Sequence, residues 1–259
     1  MQGTNLEYFA QRQDKVLYSD GHCVITSYMG AAYHQVLEDR ACYEAYNFPL
    51  AELFLIAIRG ITGQHHLSLK HVVTPLDDDC KPEVRYPQYR IRQDDSQSRE
   101  DWYRANAYCI GISEAKSELQ KFTMMLGGLN MYFGSKHKIV GGYKTAEMDY
   151  YALTHTPDVM GSVKPTPGEG ENGEDWQELV NALNTDYRNL LEYPVVLETG
   201  HLRRAPYEIP RLLAGEEEMN EWLGRYKLRL VKGRKRMKVV EVRGGGTRNA
   251  FREPFLLHP

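Results

Sequence analysis

Between Ala107 and Phe133 the hydrophobic pattern changes from a strand-length apolar run to a helical period, which excludes an all-α or an all-β chain. Ala107 to Ile112 reads AYCIGI, an apolar run of buried-strand length. Beyond it Leu119, Phe122, Leu126, Leu129 and Phe133 recur at spacings of 3, 4, 3 and 4, which predicts a helix with one core-facing stripe. Ser113 is placed to cap that helix, with Glu114 in its first turn against the dipole. Gly127-Gly128 lies inside it, at a cost of about 1 kcal/mol per glycine relative to alanine, so close packing against a sheet is expected there. A strand that hands over to such a helix requires both kinds of element in one fold, and the chain as a whole is read as α+β.

The other segments add both kinds of element. Lys15 to Ser27 reads as two strands around a Ser19-Asp20-Gly21 turn. Gly30 to Arg59 is expected to be largely helical, with Val36, Leu37, Leu50, Leu53, Phe54 and Ile58 apolar; Pro49 opens a second helix that stops at Gly60. Tyr89 to Arg92 is a short strand and Asp94 to Glu100 a polar loop. Gly134 to Lys144 is a glycine-bearing basic loop, and Met148 to Leu153 a tyrosine-rich strand. Pro157 to Asp175 carries four Gly and three Pro and reads as a linker or long loop between an α+β core over 1–156 and a region over 176–259 that either packs on the core or forms a second domain. Trp176, Leu179, Val180, Leu183, Tyr187, Leu190 and Leu191 mark an amphipathic helix. Val195 to Glu198 is a strand and Glu216 to Leu223 an acidic helix. Arg225 to Val231 alternates, Lys232 to Lys235 turns, and Arg236 to Arg243 returns, giving a C-terminal β-hairpin with a basic outer face.

Charge narrows the function classes. The 259 residues carry a net -3, which by itself argues against a polyanion partner. From Arg225 to Arg252, however, there are eleven Lys and Arg and one acid, Glu241, so 28 residues carry +10 and the rest -13. Four cysteines without a CxxC pair read as reduced thiols in a cytoplasmic compartment. Met1 to Lys15 has no signal-peptide core, and the apolar run around Phe54 to Ile58 is too short to span a bilayer.

The basic C-terminal stretch is the strongest functional signal. Clustered cations repel one another unless an anion meets them, and a phosphate backbone rewards them through counterion release. Arg225, Lys227, Arg229, Lys232, Arg234, Lys235, Arg236, Lys238 and Arg248 are the candidates, with Gly244 to Gly246 allowing close backbone approach. Two plainer readings compete: an edge protected by Lys and Arg, or docking on the protein's own acidic surface. A second signal is Lys136, Lys138, Gly141, Gly142 and Lys144. The 18 tyrosines suit base stacking or half-buried strand positions. His65, His66 and His71 match no metal pattern, and Asp77 to Asp79, Asp94 and Asp95 read as solvated acids. There is no nucleotide-binding or hydrolase motif, so no catalytic residue, metal or cofactor is expected.

From Arg90 and Arg92, through Asp94 and Asp95, the strand, the long helix and Ile139-Val-Gly-Gly-Tyr-Lys144, the order of elements resembles part of the RRM-like domain in the RAMP superfamily of CRISPR proteins. The resemblance covers residues 89–155. It implies an RRM/ferredoxin-like core with a helical insertion, in a non-catalytic subunit that wraps single-stranded guide RNA within a cytoplasmic antiviral ribonucleoprotein complex. Other subunits, or copies of itself, would be its protein partners, with no membrane. Arg90, Arg92, Lys136, Lys138, Gly141, Gly142 and Lys144 would then lie along the RNA. Two alternatives stand beside it. One is a metal-independent endoribonuclease of the same superfamily, needing a general base such as His22 or His34 near a tyrosine and a basic residue. The other is a viral, phage-structural or protein-interaction module.

Overall fold

A computed structural model describes residues 15–30, 34–64, 66–74, 96–156, 176–185, 191–198 and 215–244. It is a mixed α+β protein. The chain divides into two compact units, one of Met1–His65, Val72–Lys144 and Val240–Pro259, the other of His66–His71 and Thr145–Val239.

The first unit is built on an antiparallel sheet. β1 (Val16–Ser19) and β2 (Cys23–Ser27) form the expected hairpin. Its turn is set by Asp20, whose Oδ1 accepts from the backbone N–H of His22 (3.0 Å) and Cys23 (2.8 Å). Asp39 does the same for Ala41 (2.8 Å) and Cys42 (2.7 Å), and so joins β3 (Gln35–Glu38) to β4 (Tyr43–Pro49). This overturns the expected helix between Gly30 and Pro49. Val36 and Leu37 are not one helical face but neighbours on an exposed edge strand. β6 (Ala107–Ile112) lies where AYCIGI predicts it and is buried along its whole length. With β5 (Val72–Val73) in the other sheet, the order here is β1-β2-β6-β4-β3.

Two helices cover this sheet. α1 (Leu50–Thr62) begins after Pro49, as expected, but runs through Gly60 to a left-handed Gly63. Gly60 does not end the helix; it gives room to the Phe122 ring, which would lie 1.9 Å from an ideal Cβ. α2 (Ser96–Asn106) replaces the second half of the expected Asp94–Glu100 loop. α3 (Glu118–His137) is capped by Ser117, whose Oγ accepts from Gln120 N–H at 3.2 Å. Ser113 is no cap, because Glu114 takes a left-handed backbone (φ 60°) that no helix continues. The buried stripe of α3 is Phe122, Met125, Leu129, Tyr132 and Phe133; Leu119 of the expected stripe is exposed and Leu126 only half-buried. α1 and α3 pack on each other, and α3 lies over β2 and β6. The Tyr43 ring meets Phe122 and the Tyr108 ring meets Phe133, with centroids at 5.3 and 4.8 Å.

The strand after α3 runs further than expected. β7 (Ile139–His155) starts one residue after the left-handed Lys138, so the expected Gly134–Lys144 loop is helix and then strand. In the second unit α4 (Trp176–Thr185), β8 (Val195–Leu197) and α5 (Glu216–Gly224) agree with expectation over the described residues. Leu179, Val180, Leu183, Met219, Trp222 and Leu223 form its core with Tyr151, Leu153, Leu228 and Leu230. β9 (Leu228–Gly244) is one continuous strand, which overturns the expected C-terminal hairpin. Gly233 makes no turn; it lies beside the Tyr150 ring, where a Cβ would approach to 2.8 Å. The second sheet has the order β5-β9-β7-β8, with β7 and β8 parallel. The expected strand at Tyr89–Arg92 and the Pro157–Asp175 linker lie outside the described residues.

The two adjacent glycines of α3 do different things. An ideal Cβ on Gly128 would sit 2.4 Å from Cys23 Sγ, whereas one on Gly127 meets nothing within 4 Å. Gly128→Ala is therefore expected to destabilise by about 1–3 kcal/mol through overpacking. Gly127→Ala should gain up to about 1 kcal/mol of helix propensity. Urea unfolding of the two variants checks the contrast, and equal effects would refute this division of labour.

Candidate nucleic-acid interface

On a strand, side chains two apart share a face. Along β9 this separates the basic residues into two sets. Lys232, Arg234, Arg236 and Lys238 stand on one face, all exposed, flanked by buried Leu228, Leu230, Val240 and Val242. Arg229 and Lys235 stand on the other, where Gly233, Lys235 and Met237 are half-covered. Arg225 caps α5 at its C-terminal end, and Lys227 has a left-handed backbone (φ 58°) before the strand begins.

Acids of the same unit meet part of this row. Lys232 Nζ lies 2.9 Å from Glu216 Oε2, which also accepts from Tyr151 Oη at 2.9 Å. Arg234 Nε lies 3.6 Å from Glu147 and 3.9 Å from Asp149, both on β7. Lys235 Nζ donates to Glu198 Oε1 (2.7 Å), which also accepts from Tyr150 Oη (2.6 Å). Each lysine also lies over its tyrosine, at 5.7 Å for Lys232 on Tyr151 and 4.3 Å for Lys235 on Tyr150. The lysine hydrogen bonds hold the Glu216 and Glu198 carboxyls below their ordinary range. Burial, and then the bond to Glu216, push the Tyr151 phenol up to about 12. Among the described residues Arg229 and Arg236 have no ion pair, and both are exposed.

The second candidate group belongs to the first unit, and its glycines have structural work. Gly141 is buried, its N–H donates to Asn130 Oδ1 (2.7 Å), and its carbonyl accepts from Asn130 Nδ2 (3.0 Å). A Cβ there would sit 2.1 Å from Phe54. The Gly141 N–H is therefore not available to a phosphate, and Gly142 is also buried. Lys144 pairs with Glu241, Lys138 donates to the Ser135 carbonyl (3.2 Å), and Lys136 lies 5.7 Å over the Tyr132 ring. Arg90, Arg92 and Arg248 lie outside the described residues, as do Asp77 to Asp79, Asp94, Asp95 and Gly245-Gly246.

The histidines separate clearly. His22 Nδ1 lies 3.3 Å from Glu114, both mostly exposed. His34 is half-buried with a left-handed backbone (φ 52°). Its ring stacks on Phe48 at 4.8 Å, and its Nε2 lies 3.1 Å from the hydroxyl of buried Tyr103. His71 is buried, with Nδ1 accepting from Ser68 N–H at 3.0 Å. Among the described residues no three His, Cys, Asp or Glu gather to hold a metal, and Cys23, Cys42 and Cys109 are free thiols. No described helix is long and apolar enough to cross a membrane.

One cation of the second unit escaped the sequence reading because it stands alone there. Lys70 Nζ donates to the carbonyls of Leu183 and Tyr193, both at 3.3 Å, and among the described residues no carboxylate joins them. Burial lowers its pKa to about 8. Between about pH 8 and the unfolded value near 10.5 the unfolded chain therefore holds a proton that the folded chain has lost, so stability rises with pH in that window. Wild type should accordingly gain on a Lys70→Met variant from pH 8 to 10 in paired thermal melts. A gap that is flat or widens in favour of the variant would refute it.

The chain matches no protein-family model, no curated protein and no solved structure.

Proposed function

We propose that the chain binds single-stranded RNA along β9, as a non-catalytic subunit of a CRISPR-type ribonucleoprotein complex with an RRM-like core. The observation that carries the reading is the period-two row Lys232, Arg234, Arg236 and Lys238. It extends about 20 Å along one strand at 3.3–3.4 Å per residue, a linear arrangement suited to one backbone rather than the two tracks of a duplex. The acids beside Lys232 and Arg234 weaken that end, so Arg236, exposed and without an ion pair among the described residues, carries most of the contact, with Arg229 on the opposite face. Gly141 and Gly142 drop out of the proposed interface. For the core, the support is an antiparallel sheet with α1 and α3 on one face. Among the described residues four strands precede the first helix, which departs from β-α-β-β-α-β, so the fold lends the proposal less than the row does.

Filter binding to single-stranded RNA across a salt series tests this. Each phosphate contact contributes about -0.7 to the slope of log affinity against log salt for single strands. Arg236→Ala should weaken binding and flatten that slope by about this amount, with Lys232→Ala and Lys235→Ala weaker in effect. Absence of binding at low salt, or binding indifferent to salt, would sink the proposal.

A second reading rests on His34. The endoribonuclease alternative needs a histidine near a tyrosine and a basic residue, and Tyr103 Oη at 3.1 Å from His34 Nε2 supplies the first two of these. The ring is held at an uncommon backbone conformation by its stack on Phe48, the kind of over-determined geometry found at reactive sites. If this reading holds, the protein cleaves RNA in EDTA, and His34→Ala abolishes cleavage while His22→Ala does not. Intact RNA after prolonged incubation would dismiss it.

A further inference from the structure

The outward face of α3 is unlike that of an ordinary surface helix, which presents charged side chains to water. Between Glu118 and Lys136 its only charged residue is Lys121, which is buried and bonded to Glu38 and to the Asp39 carbonyl. Roughly 25 Å of helix, at 1.5 Å per residue, is therefore without exposed charge. Leu119 and Met131 are exposed on it, at 49% and 62%.

The polar side chains of this face are turned back on the protein. Gln120 Oε1 accepts from Lys116 N–H (2.8 Å), and Thr123 Oγ1 donates to the Leu119 carbonyl (2.7 Å). Asn130 has both ends of its amide on Gly141, and Ser135 Oγ donates to the Tyr132 carbonyl (3.0 Å). The strip is thus polar in composition but apolar in what it presents. Gly127 lies at its middle. Glycine costs helix stability, and unlike Gly128 it has no contact within 4 Å of an ideal Cβ to explain it.

We propose that this strip is a self-association surface, on which α3 crosses the α3 of a second copy at Gly127. A two-fold contact needs a self-complementary patch. Leu119, Thr123, Gly127, Met131 and Ser135 form one ridge at spacings of four, symmetric about Gly127. A two-fold axis there sets Met131 of each copy against Thr123 of the other, and Leu119 against Ser135. The glycine admits close backbone approach, and the flexible methionines fill the space beside it. Two copies of one net-negative chain repel wherever charged faces meet, and this strip carries no charge to oppose them. One helix crossing buries less than the roughly 800 Å² per partner of a standard interface, so the association is weak and concentration-dependent.

Sedimentation velocity of the full chain, from low to high micromolar concentration, reads this directly. The weight-average mass is expected to rise from 29.9 kDa toward twice that value. Gly127→Glu and Met131→Glu should hold it at the monomer while melting no earlier than the wild type. Gly127→Gln, which adds bulk without charge, should act in the same direction. A Gly127→Cys variant should cross-link to a disulfide dimer on oxidation, because a residue on the axis meets its own copy. A mass that stays at the monomer throughout, or a dimer untouched by all three substitutions, overturns the proposal. These readouts use no RNA, so they are independent of the proposed function.

Discussion

Each unit depends on one asparagine that holds a strand backbone from a helix. Asn130 on α3 bonds both the N–H and the carbonyl of Gly141 on β7. Asn184 on α4 does the same for Val195 on β8, with both bonds at 2.8 Å and the side chain buried. A side-chain amide used this way acts as one rung of a further strand, and it satisfies backbone groups that would otherwise be costly to bury. It also sets register. A slip by one residue would turn every side chain of a strand to its other face. With Gly141 fixed, the left-handed Lys138 and the Phe54 contact follow; with Val195 fixed, β8 pairs with Tyr151 to Leu153.

That register decides what the charges of the second unit do. Tyr150 and Tyr151 are consecutive, so they point to opposite faces of the sheet. Each carries the same set of partners, a carboxylate on its hydroxyl and a lysine over its ring. Exposed ion pairs taken singly contribute little. Here each carboxylate joins a tyrosine hydroxyl and an ammonium, and so ties α5 or the segment after β8 to the long strands. Much of the positive charge that stands out in sequence is thereby matched within the fold, and the unmatched part is narrower than the +10 of the C-terminal stretch.

What could be read from sequence was what depends on near neighbours. The Asp20 turn, the AYCIGI strand and the helices at Trp176 and Glu216 all rest on signals within a few residues. Some errors were local, as where the Asp39 turn breaks the expected Gly30–Pro49 helix into two strands, and others came from distant contacts. Gly233 in a basic run looks like a turn until Tyr150, 83 positions earlier, is found beside it. Gly141 looks like a phosphate loop until Asn130 and Phe54 are seen to occupy its surroundings. The candidate surface was legible as a cluster of cations but not as a row. The counter-charges at Glu147, Asp149, Glu198 and Glu216 are scattered through the sequence, and only strand pairing brings them alongside. His34 was named among several histidines, and nothing local distinguishes it, since its partner Tyr103 lies 69 residues away.

Both long strands pass from the residues of one unit to those of the other, β7 between Lys144 and Thr145 and β9 between Val239 and Val240. Neither unit is therefore a continuous stretch of chain. The parallel pairing of Val72 with Val240 joins residues separated by most of the sequence. On the ribosome, the first unit must wait for β9 before its last strand pair can form, long after its helices and main sheet have emerged. Such closure at long range is slow and leaves strand edges exposed during synthesis. The order in which the chain is made thus differs from the order in which its parts can be completed.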